Sequence, residues 1–165
     1  PRVSRLDSVI RRLETQRDCI DAAIGLIGGV PGPILEIGLG NGRTYDHLRE
    51  RCGDREIFVF DRRIAAHPDC VPDEAHMFLG DFADSFPNAG SRIGAPGALA
   101  NADIGTGNAA ASRALGERMA GWLVPLMAPG GVIVADQPMT AANWQSLSLP
   151  ASVGEGRYFM YQVAG

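Results

Sequence analysis

The sequence predicts an α/β fold with a doubly wound, mostly parallel sheet, an antiparallel strand at the C-terminal edge and an amphipathic N-terminal helix. Short apolar runs that suit buried strands alternate five times with helical segments, and this order requires crossover connections between parallel strands. A turn with three glycines follows the first of these runs. Folds of this kind bind ligands at the carboxyl ends of their strands, so the turn marks the expected site.

Length and charge limit the function. The chain has 165 residues, and we expect one domain, with a helix in residues 1–30 and the α/β core in residues 32–165. All 15 basic residues are arginine. The absence of lysine excludes a phosphate-binding Walker loop, a pyridoxal-phosphate Schiff base and a lysine nucleophile. The net charge of −4 argues against a nucleic-acid partner.

The cysteines, histidines and apolar runs exclude further classes. The three cysteines are far apart and the three histidines form no paired motif, so we expect no metal site from them. No apolar run approaches the roughly 20 residues that cross a bilayer. We therefore expect a cytoplasmic protein that has no membrane partner.

The N-terminal segment predicts a long amphipathic helix that ends at Gly28. Ser4 and Asp7 have the spacing of a capping box. Apolar residues follow at helical spacing: Leu6, Val9, Ile10, Leu13, Ile20, Ile24 and Ile27. Gln16 and Arg17 interrupt this stripe, and we expect both to be solvated; contact with a ligand is the alternative. The helix is expected to cover the sheet near the site or to form a homo-oligomer.

The first strand, residues 34–37, leads directly into the glycine turn, and a helix is expected in residues 43–51. Glycine lacks a β-carbon, so a ligand can approach the backbone N–H groups of such a turn. The glycine spacing does not fit the Gly-x-Gly-x-x-Gly pattern of NAD-binding proteins. We place Glu36 at the mouth of the turn, where a carboxylate would attract a ligand with an ammonium or sulfonium group.

This stretch resembles the first motif of the class I S-adenosylmethionine (SAM)-dependent methyltransferases, Glu/Asp-x-Gly-x-Gly-x-Gly. The motif here consists of Glu36, Ile37, Gly38, Leu39, Gly40, Asn41 and Gly42. The resemblance implies a Rossmann-like fold with SAM as cofactor and methyl donor. It also implies that Glu36 and residues 38–42 contact the methionine end of SAM. A glycine-rich turn without a ligand is the alternative.

The second strand, residues 56–60, precedes Asp61, Arg62 and Arg63. A carboxylate at this place can accept hydrogen bonds from two ribose hydroxyls. The resemblance gives Asp61 the same role, whereas an isolated aspartate there would cap a helix or form a turn. We expect Arg62 or Arg63 to lie along the adenine face. The alternative is that the arginine only balances the charge of neighbouring carboxylates.

The third strand, residues 75–79, runs into Gly80, Asp81 and Phe82. In the family that the sequence resembles, an acidic residue after this strand bonds the adenine amino group. Asp81 occupies that place, with Phe82 as a wall against the ring. The alternative is that Asp81 only caps the segment that begins at Phe82.

The fourth strand, residues 97–104, contains Asp103, the candidate catalytic residue. We expect Asp103 to orient or deprotonate the methyl acceptor, or to contact the methionine amino group. The residues around it lack the Asn/Asp-Pro-Pro-aromatic signature of nucleic-acid amino methyltransferases. Asp136 and Gln137 end the next strand, and with Asp103 they offer oxygens to a divalent ion as an alternative.

The remaining segments complete the predicted sheet. A helix in residues 108–127, a Pro-Gly-Gly turn in residues 129–131 and a strand in residues 132–135 are expected in that order. We further expect a weak helix in residues 141–147, an extended piece in residues 147–149 and a strand in residues 157–163. The last two should pair antiparallel at the edge of the sheet.

The function expected from these features is SAM-dependent methyl transfer to an unidentified, small-molecule acceptor. One alternative is a protein that binds SAM or S-adenosylhomocysteine (SAH) without turnover. Two others are a magnesium-dependent methyltransferase of the catechol type and an NAD-dependent oxidoreductase.

Overall fold

The computed structural model describes residues 2–165; Pro1, with which the expected domain begins, lies outside the described residues. The helices are α1 Arg5–Leu26, α2 Arg43–Arg51, α3 Phe82–Ser85, α4 Ala89–Ile93 and α5 Ala109–Leu123. The strands are β1 Ile34–Ile37, β2 Ile57–Asp61, β3 Met77–Leu79, β4 Gly97–Ala102, β5 Met127–Ala135, β6 Trp144–Ser146 and β7 Phe159–Val163.

The strands form a single seven-stranded sheet in the order β3-β2-β1-β4-β5-β7-β6. The five strands from β3 to β5 are parallel to one another, whereas β7 runs antiparallel to both β5 and β6. The chain order reverses between β1 and β4, and in such sheets the reversal opens a crevice at the carboxyl edge. This arrangement confirms the predicted fold class.

Helices cover both faces of the sheet. Helices α3, α4 and α5 pack on the face that carries Leu35 and Ile37 of β1. Helices α1 and α2 pack on the opposite face, which carries Ile34. Because successive side chains of a strand point to opposite faces, Glu36 shares the α1 and α2 side with Ile34.

Only the second half of α1 packs on the sheet. Half of the predicted capping box forms: the hydroxyl of Ser4 accepts a hydrogen bond from the backbone N–H of Asp7 at 3.0 Å, whereas Asp7 Oδ2 accepts from that hydroxyl at 2.7 Å instead of from the backbone of Ser4. Ile20 and Ile27 are buried, but Leu6 near the start of the helix is 69% exposed. The apolar stripe therefore continues beyond the surface that it covers. No helix in residues 2–165 combines the length and the apolar character that crossing a membrane requires.

The predicted boundaries of β1 and α2 agree with the structure, whereas those of other elements differ. Strand β4 ends at Ala102, so Asp103 follows the strand instead of lying in it. The expected Pro-Gly-Gly turn lies within β5 as an irregularity, since Met127 pairs with Gly97 and Val132 with Leu99.

The weak helix expected in residues 141–147 is wrong. Trp144–Ser146 form β6, which pairs antiparallel with β7 from Trp144 opposite Val163 to Ser146 opposite Tyr161. The edge pairing was predicted, but it begins three residues earlier than the expected extended piece. Hydrogen bonds to a distant strand outweigh the local helical preference of this segment.

Candidate active site

Two cavities adjoin each other at the carboxyl edge of the sheet. The first, the glycine-loop cavity, has a volume of about 170 Å³ and is lined by Arg12, Leu13, Gln16, Gly38, Leu39, Gly40, Asn41, Arg43, Thr44 and Asp103. The second, the aspartate cavity, has a volume of about 280 Å³ and is lined by Arg12, Thr15, Gln16, Asp103, Asp136, Arg157 and Tyr158. Arg12, Gln16 and Asp103 belong to both.

The glycine loop between β1 and α2 requires glycine for two different reasons. Gly38 has φ +86° and Gly40 has φ +53°, values that L side chains rarely adopt. A β-carbon on Gly38 would lie only 2.3 Å from the backbone oxygen of Asp103, whereas one on Gly40 would meet nothing within 4 Å. Gly38 thus allows the loop to approach the end of β4, and Gly40 presents bare backbone to the cavity.

Asp61 lies at the end of β2, as predicted, and its carboxylate contacts the glycine loop. Oδ2 accepts hydrogen bonds from the backbone N–H groups of Leu39 at 2.8 Å and Gly40 at 3.3 Å. Oδ1 accepts one from the N–H of Arg62 at 2.6 Å and a longer one from the N–H of Arg63 at 3.5 Å. These four bonds use about the four acceptor positions of a carboxylate, but those from Gly40 and Arg63 are long, and hydroxyl donors can share their positions. The sequence did not predict that Asp61 also holds the loop in place.

Asp81 and Arg62 face each other next to this carboxylate. Arg62 Nη2 lies 3.5 Å from Asp81 Oδ1, and both side chains are more than half exposed. Asp81 precedes α3, yet its side chain makes no capping hydrogen bond, which weakens the helix-cap alternative. The N–H of Gly80 donates to the backbone oxygen of Asp61 at 2.9 Å and so links β3 to β2.

The expected role of the Phe82 side chain as a wall against adenine is not supported. Phe82 is buried in the core and packs edge-on against Phe86 at a centroid distance of 5.9 Å. A residue at the start of α3 turns toward the sheet because that face of the helix must cover the core. Only the backbone of Phe82 remains for a ligand next to Asp81.

Glu36 does not lie at the mouth of the turn, which corrects the expectation from the sequence. Its side chain is fully buried, and Oε1 accepts a hydrogen bond from Asn101 Nδ2 at 2.7 Å. Burial raises the pKa of Glu36 to about 8, against the lowering effect of the bond from Asn101. Oε2 has no hydrogen-bond partner among residues 2–165. Glu36 therefore links β1 to β4 from inside the sheet, largely as a neutral acid.

Asp103 and Asp136 form the acidic side of the aspartate cavity. Both oxygens of Asp136 are held by backbone N–H groups, from Ile104 at 3.0 Å and Gly105 at 2.9 Å. Burial, followed by the charge of Asp136, raises the pKa of Asp103 to about 6. A carboxylate with this pKa is ionised near neutral pH and is a better proton acceptor than an ordinary aspartate.

The expectation that Gln16 is solvated is wrong. It is 6% exposed, and its Nε2 donates to Asp103 Oδ2 at 3.2 Å across 87 positions of the chain. Arg17 is exposed, as expected. The interruption of the apolar stripe at Gln16 was the signal in the sequence, but a contact so distant in the chain could not be read from it.

Four further cavity residues were missed by the sequence analysis: Arg12, Thr15, Arg157 and Tyr158. None of them belongs to a motif, because each reaches the site through the packing of α1 or of the segment before β7. Arg43 was expected only as the start of α2, yet it lines the glycine-loop cavity.

The arrangement for a divalent ion is incomplete. Asp103 and Asp136 lie next to each other as the alternative required, but Gln137 does not line the aspartate cavity. In the part of the chain that the structure describes, no group of three or more His, Cys, Asp or Glu side chains could hold a metal ion.

The sheet order, the open glycine loop and the carboxylate at the end of β2 define the class of SAM-dependent methyltransferases. The chain belongs to the S-adenosyl-L-methionine methyltransferase family, whose model matches residues 3–163. It is therefore a SAM-dependent methyltransferase and uses SAM as its cofactor. The comparisons exclude the NAD-dependent oxidoreductase.

Solved structures agree with this assignment. The S-adenosyl-L-methionine methyl transferase from Silicibacter pomeroyi DSS-3 is 39% identical, with a TM-score of 0.91 over 99% of this chain and 100% of that protein. DesVI of Streptomyces venezuelae is 15% identical, with a TM-score of 0.54 over 90% of this chain and 66% of DesVI. MycE, a methyltransferase of the mycinamycin biosynthetic pathway, is 16% identical, with a TM-score of 0.56 over 99% of this chain and 49% of MycE. The last two share the fold. No curated protein sequence matches the chain.

Proposed function

We propose that this methyltransferase binds the methionine end of SAM in the glycine-loop cavity and transfers the methyl group to a small polar molecule in the aspartate cavity. The observation that carries this proposal is that the two cavities share Arg12, Gln16 and Asp103. A donor in one cavity and an acceptor in the other would therefore be neighbours. SAM supplies a methyl group that its sulfonium charge already activates, so the protein has chiefly to align the two molecules.

The residues around the glycine loop fit the parts of SAM. The backbone of Gly38, Leu39, Gly40 and Asn41 surrounds the methionine end. Gly42, which was also expected there, does not line this cavity and packs against Cys70. Arg12 and Arg43 line the same cavity and can bind its carboxylate. Glu36 supports the loop from the buried side of β1 and, in this proposal, does not touch SAM.

The residues at the ends of β2 and β3 fit the nucleoside part of SAM. Asp61 adds the two ribose hydroxyls to the hydrogen bonds that it already accepts from the loop. Arg62 and Asp81, with the backbone of Gly80 and Phe82, bind the adenine. The exposure of Arg62 and Asp81 leaves both side chains accessible to a ligand.

Asp103 is the proton acceptor in this proposal. Gln16 donates a hydrogen bond to its carboxylate and orients it toward both cavities. Asp136 is engaged with two backbone N–H groups and serves to position Asp103 and raise its proton affinity. The protonated form of Asp103 can then return its proton to water.

A small acceptor fits this site better than a nucleic acid. The aspartate cavity holds about 280 Å³, and Tyr158, its one aromatic lining residue, is 5% exposed. Proteins that bind single nucleic-acid strands offer exposed aromatic faces and a positive surface. The net charge of −4 also disfavours a phosphate backbone.

Calorimetry with two matched ligands tests the donor site. SAH and 5′-methylthioadenosine share the nucleoside, but only SAH carries the amino-acid part. We expect Arg12→Gln and Arg43→Gln together to weaken SAH binding about tenfold or more and to leave 5′-methylthioadenosine binding unchanged. Arg113→Gln on the exposed side of α5 is the control. If the double variant binds SAH with wild-type affinity, the placement of the methionine end is wrong.

A further inference from the structure

Arg157 is a charged residue of the aspartate cavity that the donor site does not use. It lies just before β7, is exposed, and lines the aspartate cavity but not the glycine-loop cavity. In the described part of the chain its guanidinium makes neither a hydrogen bond nor a salt bridge to another side chain. Its donors are thus available to a molecule that enters this cavity.

The aspartate cavity has opposite charges on its two sides. Asp103 and Asp136 follow the carboxyl ends of β4 and β5, whereas Arg157 belongs to the segment that leads into β7. A ligand that fills about 280 Å³ must meet both sides. An acceptor with one positive and one negative group would complement this distribution of charge.

The three arginines around the two cavities divide between two ligands. Arg43 lines only the glycine-loop cavity, Arg12 lines both, and Arg157 lines only the aspartate cavity. One carboxylate, that of the methionine end, accounts for Arg12 and Arg43. Arg157 is left for the second ligand, and an anionic group of the acceptor would pair with it. A guanidinium binds a carboxylate through two parallel hydrogen bonds, so it also fixes the direction of the molecule.

We propose that the acceptor is a small amine that also carries a carboxylate, with the carboxylate bound by Arg157 and the nitrogen facing Asp103. This inference rests on the function proposed above. The two aspartates would attract the nitrogen in its ammonium form, which a neutral hydroxyl would not match. In the reaction, the ammonium first gives one proton to Asp103, which frees the lone pair of the nitrogen. The nitrogen then forms the new N–CH3 bond while the methyl–sulfur bond breaks with its electron pair on sulfur, which leaves SAH and a secondary ammonium product, and Asp103 passes its proton to water.

The strength of Asp103 as a base agrees with a nitrogen acceptor. With a pKa of about 6, Asp103 can take one proton from the bound ammonium before its nitrogen attacks the methyl group. An aliphatic alcohol holds its proton far more tightly and would need a stronger base. Arg157 is therefore a specificity-determining residue, and Asp103 the residue that reacts with the acceptor's proton.

A panel of amino acids and their amides tests the inference. Glycine, β-alanine, 4-aminobutyrate and 3-aminobenzoate are each compared with the corresponding amide, which keeps the amine and the size but loses the charge. Glycolate and 3-hydroxybenzoate replace the amine by a hydroxyl. SAH release with saturating SAM gives kcat and KM, and calorimetry on the SAH complex measures binding independently of turnover.

We expect at least one of the acids to be a substrate with a kcat/KM about tenfold or more above that of its amide. Arg157→Gln should remove this preference mainly through KM, Arg157→Lys should restore part of it, and Arg113→Gln should leave it unchanged. SAH affinity should be the same in all of these proteins, because Arg157 does not line the glycine-loop cavity.

Three outcomes overturn the inference. The first is that no amino acid of the panel binds or is methylated. The second is that acids and amides react equally or that Arg157→Gln keeps the preference. The third is that the hydroxy acids are methylated in preference to the amino acids. If SAH still binds through Arg12 and Arg43 in any of these cases, only the class of acceptor is wrong and the proposed donor site stands.

Discussion

The two cavities at the carboxyl edge of the sheet are assembled in different ways. The glycine-loop cavity takes six of its ten lining residues from residues 38–44, and the link from this stretch to the next strand, from Leu39 to Asp61, spans 22 positions. The aspartate cavity has no such local stretch and combines α1, the ends of β4 and β5, and the segment before β7. The bond from Gln16 to Asp103, two residues that both cavities share, spans 87 positions. A turn between neighbouring elements leaves a motif in the sequence, whereas a wall made of distant elements does not.

Gly38 of the glycine-loop cavity packs against the backbone of Asp103, which lines both cavities, and its replacement should have a large effect on stability. We expect Gly38→Ala to destabilise the protein by about 3 kcal/mol or more, because the new methyl group would lie 2.3 Å from the backbone oxygen of Asp103. Gly40→Ala is the matched control, since its methyl group meets no atom within 4 Å and only the positive φ costs about 1–2 kcal/mol. Denaturant unfolding measures both.

The same pair of variants separates folding from binding. Gly40→Ala should remain folded but bind SAM more weakly, because its methyl group projects where the ligand approaches the backbone. Equal destabilisation by the two substitutions would contradict the different reasons given for the two glycines.

Replacement of Asp103 tests the proposed role of the aspartate cavity in catalysis. We expect Asp103→Asn to lower kcat by about 10²–10⁴ at saturating SAM, the usual contribution of a general base. In the wild type, kcat/KM for the acceptor should fall as the pH drops through about 6, because protonation removes the proton acceptor. SAH release measured from pH 5 to 9 shows both effects. A profile without this fall would exclude Asp103 as the base.

Replacement of Asp61 tests the glycine-loop cavity through the affinity for SAM. We expect Asp61→Ala to weaken SAM binding about tenfold or more, because it loses the ribose bonds and those to the N–H groups of Leu39 and Gly40. Asp61→Asn keeps one oxygen for the loop, so its affinity for SAM should lie between those of Asp61→Ala and the wild type. Calorimetry measures the affinity. A folded Asp61→Ala protein with unchanged affinity would refute the ribose role.

Glu36 should affect stability alone, through the dependence of stability on pH. Its pKa is raised from 4.5 to about 8, so its contribution to stability is complete below about pH 4.5 and is lost as the pH rises to about 8. Glu36→Gln keeps the shape of the neutral acid and should not lose stability across this range through this group. Denaturation midpoints at pH 5 and pH 8.5 compare the two proteins. If both lose the same stability, Glu36 is not neutral in the folded state.

The sequence predicted the parts of the fold that depend on local pattern. Residues 34–43 show a buried strand, a turn and a helix start within ten positions, so β1, the glycine loop and α2 were found where they lie. Asp61 could be placed because a β-branched, aromatic strand ends there. Its contact with SAM remains a prediction.

Burial and distant contacts account for what the sequence did not show. Glu36 was placed at the mouth of the turn, but its exposure depends on α2 and β4 packing around β1. Trp144–Ser146 form a strand only because β7 lies beside them. Gln16 and Arg157 line the aspartate cavity because α1 and the segment before β7 meet at the ends of β4 and β5. No local sequence pattern indicates this contact.

A crystal structure of the SAH complex tests the central claim most directly, namely that donor and acceptor occupy two adjoining cavities that share Asp103. We predict that the homocysteine part lies along Gly38, Leu39 and Gly40 with its carboxylate near Arg12 or Arg43, and that the ribose hydroxyls bond Asp61. The sulfur atom should face Asp103 and the aspartate cavity. A sulfur atom that is directed away from Asp103, or SAH bound outside the glycine-loop cavity, would contradict the account.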